Sequence, residues 1–319
     1  MRTSLPRASL ALLLAVACDR PAPTPSVQQP PATAATSNGD GLDLPSPESF
    51  GRAHGSFADY WHQGVAELTR YRLRQARYGD VHDGEAVLVF VTEPFLPDLE
   101  VKDEDGTEGS IGVLKLNHYR RFFTGIYPYT VLTSTFSPED GAPALKASGS
   151  VSEWCGHAYT QINRRADALE VAAHSYFQHE ADQSLLLPAE VRLEDELFNV
   201  IRRDPSALPR GETTLVPGLH YLRFTHRDLR GYHAELSADA VDDPRFGGHA
   251  QRVTVRYPEL ERTLRIYYAE TFPRPILGFE EDGPEGHTEA VRTNAILTDY
   301  WAHHGADDGA YREALGLTE

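Results

Sequence analysis

Most apolar positions of this chain recur with period two, the spacing of a strand with one buried face. Residues 65–78 predict a long strand that ends at Gly79-Asp80. Val87, Leu88, Val89, Phe90 and Val91 form an unbroken apolar run, as expected of a strand covered on both faces. Further strands are predicted over 113–116 and 129–136, and Leu169, Val171, Ala173, Ser175 and Phe177 alternate with polar residues. The stretches 219–224 and 232–236 also read as strands. Residues 253–257 and 264–268 alternate on either side of Pro258-Glu259 and read as a hairpin.

The clearest helical period lies over 187–203. Leu193, Leu197, Val200 and Ile201 make an apolar stripe, with Glu190, Glu194, Asp195 and Glu196 toward the start and Arg202 and Arg203 at the end, the polarity that the helix dipole favours. Asp204-Pro205 stops it. A short helix is expected over 56–64, capped by Ser56, with Phe57, Tyr60 and Trp61 on one side. The segment from Glu289 leans to helix, and within it Asp299-Tyr300-Trp301 repeats the tripeptide Asp59-Tyr60-Trp61. The acidic stretch 98–112 fails the calcium-loop spacing: with Gly106 as the turn glycine, Val101 and Gly112 fall on the end ligand positions.

Strands do not alternate regularly with helices, which argues against a doubly wound parallel fold. The expected class is mainly β (α+β): an extended, curved antiparallel sheet with one amphipathic helix packed on it and short flanking helices. Residues 51–319 are expected to form one β-rich domain, or two sub-lobes with the 187–203 helix between them.

Composition adds an address. The first residues carry Arg2 and Arg7, then an apolar run from Leu10 to Val16, too short to span a bilayer, then Ala15-Val16-Ala17 before Cys18. This pattern predicts a signal peptide over 1–17 and resembles a lipoprotein cleavage site, with Ala15 where leucine is usual. Cys18 is then the expected lipidation site, and acyl chains there would anchor the protein to a membrane. Residues 18–50, rich in proline among Ala, Thr, Ser, Gln and Gly, read as a disordered tether. The expected location is the bacterial envelope, facing the periplasm. With Cys18 acylated, Cys155 has no partner for an intramolecular disulfide, because the chain has two cysteines. A formal charge of -17 argues against nucleic acid as a partner, and a mean hydropathy of -0.43 suits a soluble folded body.

Candidate chemistry concentrates between Ser150 and Gln183. On a strand, Glu153, Cys155 and His157 would share one face, and an imidazole beside a thiol can generate a thiolate nucleophile; these three are the candidate catalytic set. His179, Glu180, Ala181, Asp182 and Gln183 approach the zinc-protease motif, but Gln183 stands where its second histidine belongs. His174, His179 and Glu180 are the candidate metal ligands, with zinc as the ion. A continuous strand would send His174 and His179 to opposite faces. No Gly-x-Ser-x-Gly elbow, phosphate-cradling Gly-rich loop with Lys, or Ser-x-x-Lys is present, and no cofactor is implied.

Several runs look familiar together: Phe57, Asp59, Tyr60, Trp61 and Gly64; Gln75-Ala76-Arg77-Tyr78-Gly79; Val89-Phe90-Val91-Thr92-Glu93; Thr124-Gly125-Ile126-Tyr127-Pro128-Tyr129; Glu153-Trp154-Cys155-Gly156-His157; and Ser175-Tyr176-Phe177. They resemble a family of bacterial envelope proteins of about 300 residues, often labelled "septum formation inhibitor Maf", with no assigned catalytic residues. The nucleotide pyrophosphatases of that name carry a Ser-x-Ser-Pro-Arg-Arg motif near the start. Here Ser137-Pro138 is followed by Glu139-Asp140, so no phosphate site transfers. The leading expectation is a non-catalytic, lipid-anchored envelope protein binding an apolar or glycan ligand or a protein partner. The alternative is a periplasmic hydrolase centred on Cys155 and His157.

Overall fold

The computed structural model describes residues 55–317; the expected signal peptide, Cys18 and the whole of the expected tether lie outside the described residues. The described chain is mainly β. It forms one large, curved, unclosed sheet of sixteen strands with a few short helices. None of these helices is long and apolar enough to cross a membrane.

Two meanders build the sheet. The first comprises β1 (Ala66–Arg77), β2 (Asp80–Leu96), the short β3 (Val101–Lys102), β4 (Ile111–Thr124), β5 (Tyr127–Pro138), β6 (Lys146–Glu153), β7 (Gly156–Arg164), β8 (Ala168–Ser175) and β9 (Gln183–Pro188). The second comprises β10 (Arg192–Leu193), β11 (Gly211–Val216), β12 (Tyr232–Asp243), β13 (Gly248–Tyr257), β14 (Arg262–Tyr268), β15 (Ile276–Gly283) and β16 (Gly286–Thr298). The arms join at their outer termini, where β1 and β16 pair antiparallel from Ala66↔Thr298 onward. The middle of the chain, 189–191, therefore links the two free edges, β9 and β10. Among the described residues, only β10 and β11 pair in parallel.

The predicted 187–203 helix is a shorter α-helix, α2 (Leu197–Arg203), preceded by β10 and a 3₁₀ turn over 194–196. The acids did not extend it because each is drawn elsewhere. Glu194 pairs with Arg262, Asp195 accepts the Leu219 amide (3.0 Å), and Glu196 accepts the Ala144 amide (2.6 Å). Nor is α2 amphipathic in place: Leu197 through Arg202 are all buried, as befits a helix enclosed on every side. The predicted strand over 219–224 is also a helix, α3 (Leu219–Thr225). The expected short helix is α1 (Phe57–Trp61), and Ser56 caps it by accepting the Asp59 amide. From Glu289 the chain continues as strand to Thr298 before turning into α4 (Gly309–Ala314).

α2 and α3 fill the curve of the sheet. Asn199 donates to the carbonyl of Leu114 (2.9 Å) and to Ser137 Oγ (3.0 Å), which fixes α2 to β4 and β5. Arg202 forms a bidentate pair with Glu67 of β1 (2.5 and 2.6 Å) and donates to the carbonyl of Pro273 (2.9 Å). Both charges are buried. In such a site the guanidinium fork holds both carboxylate oxygens, and losing either partner strands the other, at about 3–5 kcal/mol. α3 packs on β6, where Leu219 lies over Gly149: a Cβ there would stand 2.8 Å from Leu219 Cβ.

Candidate functional site at the hairpin rim

Register places several hairpin turns at one end of the sheet. Gly84 pairs with Phe122, Thr130 with Ser152 and Ala158 with Ser175, so the β1–β2, β4–β5, β6–β7 and β8–β9 turns share a rim. Three are two-residue turns: Tyr78-Gly79, Gly125-Ile126 and Trp154-Cys155. Tyr78 (φ 57°) and Gly79 (φ 80°) are both left-handed, as a type I′ hairpin requires. A tyrosine in that conformation is strained, and its contacts hold it. Its hydroxyl is 2.6 Å from that of Tyr129, its amide donates to Glu285 (2.9 Å), and the Arg77 guanidinium lies 4.1 Å from its ring centroid.

Turn tips usually carry polar residues. Here Tyr78, Ile126 and Trp154 are exposed by 57, 77 and 69%, and Tyr176 on the β8–β9 turn by 76%. Phe123, beside Ile126, is exposed as well. Trp154 stacks on Tyr127 at 6.2 Å between centroids. Tyr176 packs over Gly156, where a Cβ would come within 2.9 Å of the ring's Cβ.

The expected Glu153–Cys155–His157 face does not form. Glu153 ends β6 and Gly156 begins β7, so Cys155 sits in the turn between them, not on a strand. A two-residue turn breaks the period-two rule that would have aligned the three. Glu153 is buried and its carboxylate accepts the Cys155 amide at 2.5 Å. The same carboxylate beside the exposed sulfur pushes the thiol pKa up, away from thiolate. His157 Nε2 lies 3.5 Å from Ser152 Oγ.

The metal candidates come closer together than strand geometry predicted. β8 ends at Ser175 and the chain turns, with Ala181 at φ 40°, so His174, His179 and Glu180 line one cleft against α3. The cleft measures about 160 Å³, and Arg223 and His226 form its other wall. Glu180 ties the two sides. It accepts from Ser175 Oγ (2.6 Å) and pairs with His226 Nδ1 (2.5 Å) and Arg223 (3.5 Å). His174 Nδ1 faces Asp182 at 3.1 Å. Among the described residues, no group of three or more His, Cys, Asp or Glu is placed to hold a metal ion.

Inside the curve lies a polar cluster that sequence reading missed. Arg262 of β14, fully buried, donates to Glu194 (2.8 Å) and Glu281 (2.6 Å). His220 of α3 lies 3.7 Å from Glu281. Arg120 of β4 donates to His118 (3.1 Å) and Gln75 (3.3 Å). Burial and Arg120 drive His118 well below its ordinary pKa and His220 to about 4, so both are neutral. Burial also pulls Arg120 down to about 10, while Arg262 holds Glu281 well below the usual carboxylate range. The signal was present in β4, whose inward positions read Leu114, Leu116, His118, Arg120 and Phe122, polar where apolar is expected. Beside His220 is a cavity of about 10 Å³, lined also by Thr133, Ser150 and Arg223. That is room for about one water.

No family model matches this chain, and no curated protein matches it. Among solved structures, it is similar to a β-barrel-like protein of a domain of unknown function from Brucella abortus. The match has a TM-score of 0.46 and 11% identity, and it covers 73% of this chain and 98% of that one.

Proposed function

We propose that this protein is an exported, lipid-anchored envelope protein that acts by binding, and that it meets a protein partner at the hairpin rim. One observation carries the reading: three neighbouring two-residue turns each present a large apolar side chain to solvent, Tyr78, Ile126 and Trp154. Turn chemistry does not require such residues, and their exposure costs solubility. Tyr and Trp are the side chains that anchor protein interfaces, because each covers a large area with few rotatable bonds.

The interior weighs against carriage of an apolar ligand within the curve, since α2, α3 and the buried ion pairs occupy that space. The raised thiol pKa of Cys155 weighs against the hydrolase alternative. The flat, stacked Tyr127–Trp154 pair favours a glycan as the second class of partner, because sugar rings stack on such faces. The envelope assignment rests on the first eighteen residues.

Photo-crosslinking in the native host tests the reading. A photoreactive residue at Trp154 or Tyr176 should give one discrete adduct, absent when placed at Leu99, which is 68% exposed outside these turns. Adducts at Leu99 equal to those at the rim would overturn it. A protease-insensitive adduct that lysozyme-type digestion removes would select the glycan. Fatty-acid labelling lost in Cys18→Ser checks the anchor.

A further inference from the structure

The outer face of the sheet carries a second feature, remote in chemistry from the rim. After β16 the chain folds back through 300–317 and lies over β1 and β16. Leu315 is buried there with Ile296 and Val87, and the Asn294 amide donates to the carbonyl of Ala314 at 3.1 Å. The covering is incomplete. Between segment and sheet is a pocket of about 480 Å³, within the ~300–1,000 Å³ typical of small-molecule sites.

Its body is apolar: Leu68 and Ile296 from the sheet, Tyr311, Leu315 and Leu317 from the covering segment. Its charged groups divide into two kinds. Asp308, which lines the pocket, and Asp299, which does not, both face His303, at 3.7 and 2.9 Å, and Asp308 also accepts the Gly305 amide at 2.8 Å. The His303 ring stacks on Tyr311 at 3.9 Å. The acids and His303 thus satisfy one another. Arg312 and His304 also line the pocket, and neither side chain has a hydrogen bond or ion pair among the described residues.

We propose that this pocket binds a small amphipathic carboxylate, with its alkyl or aryl body against Leu68, Ile296 and Leu315 and its head on Arg312. The apolar body selects a hydrophobic ligand. A guanidinium unengaged among the described residues presents a planar fork of donors that matches a carboxylate. A single arginine on a chain of charge -17 does not suit a polyanion. The covering segment belongs to the chain itself and leaves a recess, not an open face, which fits a small molecule better than a protein.

Equilibrium dialysis of radiolabelled dodecanoate against the full chain carrying Cys18→Ser tests this, since no acyl group of its own then competes. Saturable binding of one dodecanoate per chain is expected. Dodecanol, the same body without the charge, should bind about tenfold more weakly. Arg312→Gln, at an exposed position, should bring dodecanoate down to the dodecanol level while leaving dodecanol binding and the unfolding midpoint unchanged. Leu68→Trp, which fills the pocket, should abolish both. Non-saturable uptake, equal affinity for the acid and the alcohol, or dodecanoate affinity unaffected by Arg312→Gln would each overturn the proposal. The photoreactive substitutions at Trp154 and Tyr176 should leave dodecanoate binding intact, which separates this site from the partner surface.

Discussion

Burial of His220 between Arg120, Arg262 and Glu281 has a consequence in solution. The imidazole stays neutral in the folded protein down to about pH 4, whereas the unfolded chain takes up a proton near 6.5. Its contribution to stability is therefore complete above about pH 6.5 and lost as pH falls toward 4. Asp195 acts in the opposite sense. Burial beside Glu194 raises it to about 7, so its contribution is present at low pH and lost as pH rises through 7. A variant comparison separates the two. The loss of unfolding free energy between pH 7.5 and 4.5 should be smaller in His220→Gln than in wild type by about 2 kcal/mol. Urea titrations at the two pH values check it, and equal losses would mean that His220 is protonated in the fold. At the same scale, one tripeptide has two fates. Tyr60 and Trp61 are 1 and 2% exposed, while Tyr300 and Trp301 are 37 and 49% exposed. The first pair is sealed by the sheet and the Arg202–Glu67 pair; the second lies on the outer face. Identical residues thus gave no warning of their environments.

Among the elements, α3 shows where local pattern fails. Its sequence, Leu-His-Tyr-Leu-Arg-Phe-Thr, alternates apolar and polar well enough to predict a strand, and its aromatic content favours one. Pro217-Gly218 before it and the docking of Leu219 on Gly149 make it a helix. That contact is tight enough to measure. Gly149→Val should destabilise the protein by about 1–3 kcal/mol through overpacking. Adding Leu219→Ala should recover part of that loss, so the double variant is more stable than the sum of the singles implies. Strict additivity in denaturant melts would show that α3 does not bear on β6. By contrast, the β13–β14 hairpin was legible, because both strands alternate cleanly and the turn lies between them with proline at its start.

For the molecule as a whole, the question is what brings the two free edges of an open sheet together. Arg164, at the end of β7, donates to the carbonyls of Ala144 (2.9 Å), Ala189 and Val191 (3.0 Å). Two of these carbonyls belong to the short link between β9 and β10, so one guanidinium pins the crossing from one meander to the other. Arg164→Met keeps the apolar stem and removes the donors. It should cost about 2–4 kcal/mol, since hydrogen bonds to a charged group are among the stronger ones and three carbonyls lose their partner. Guanidinium unfolding followed by tryptophan fluorescence and by circular dichroism measures it. A change below about 0.5 kcal/mol would show that the link holds without Arg164.

Residue order alone determined that this protein is mainly β and that Ser56 caps a short helix. These follow from period, capping and turn residues, which act within a few positions of one another. Tertiary structure decided what no short window holds. It paired the first strand with the last, enclosed α2, set Glu194 against Arg262, 68 positions away, and brought Tyr78, Ile126, Trp154 and Tyr176 to one rim. Which residues meet across such separations depends on the register of the whole series of strand pairings, and register is a property of the whole sheet.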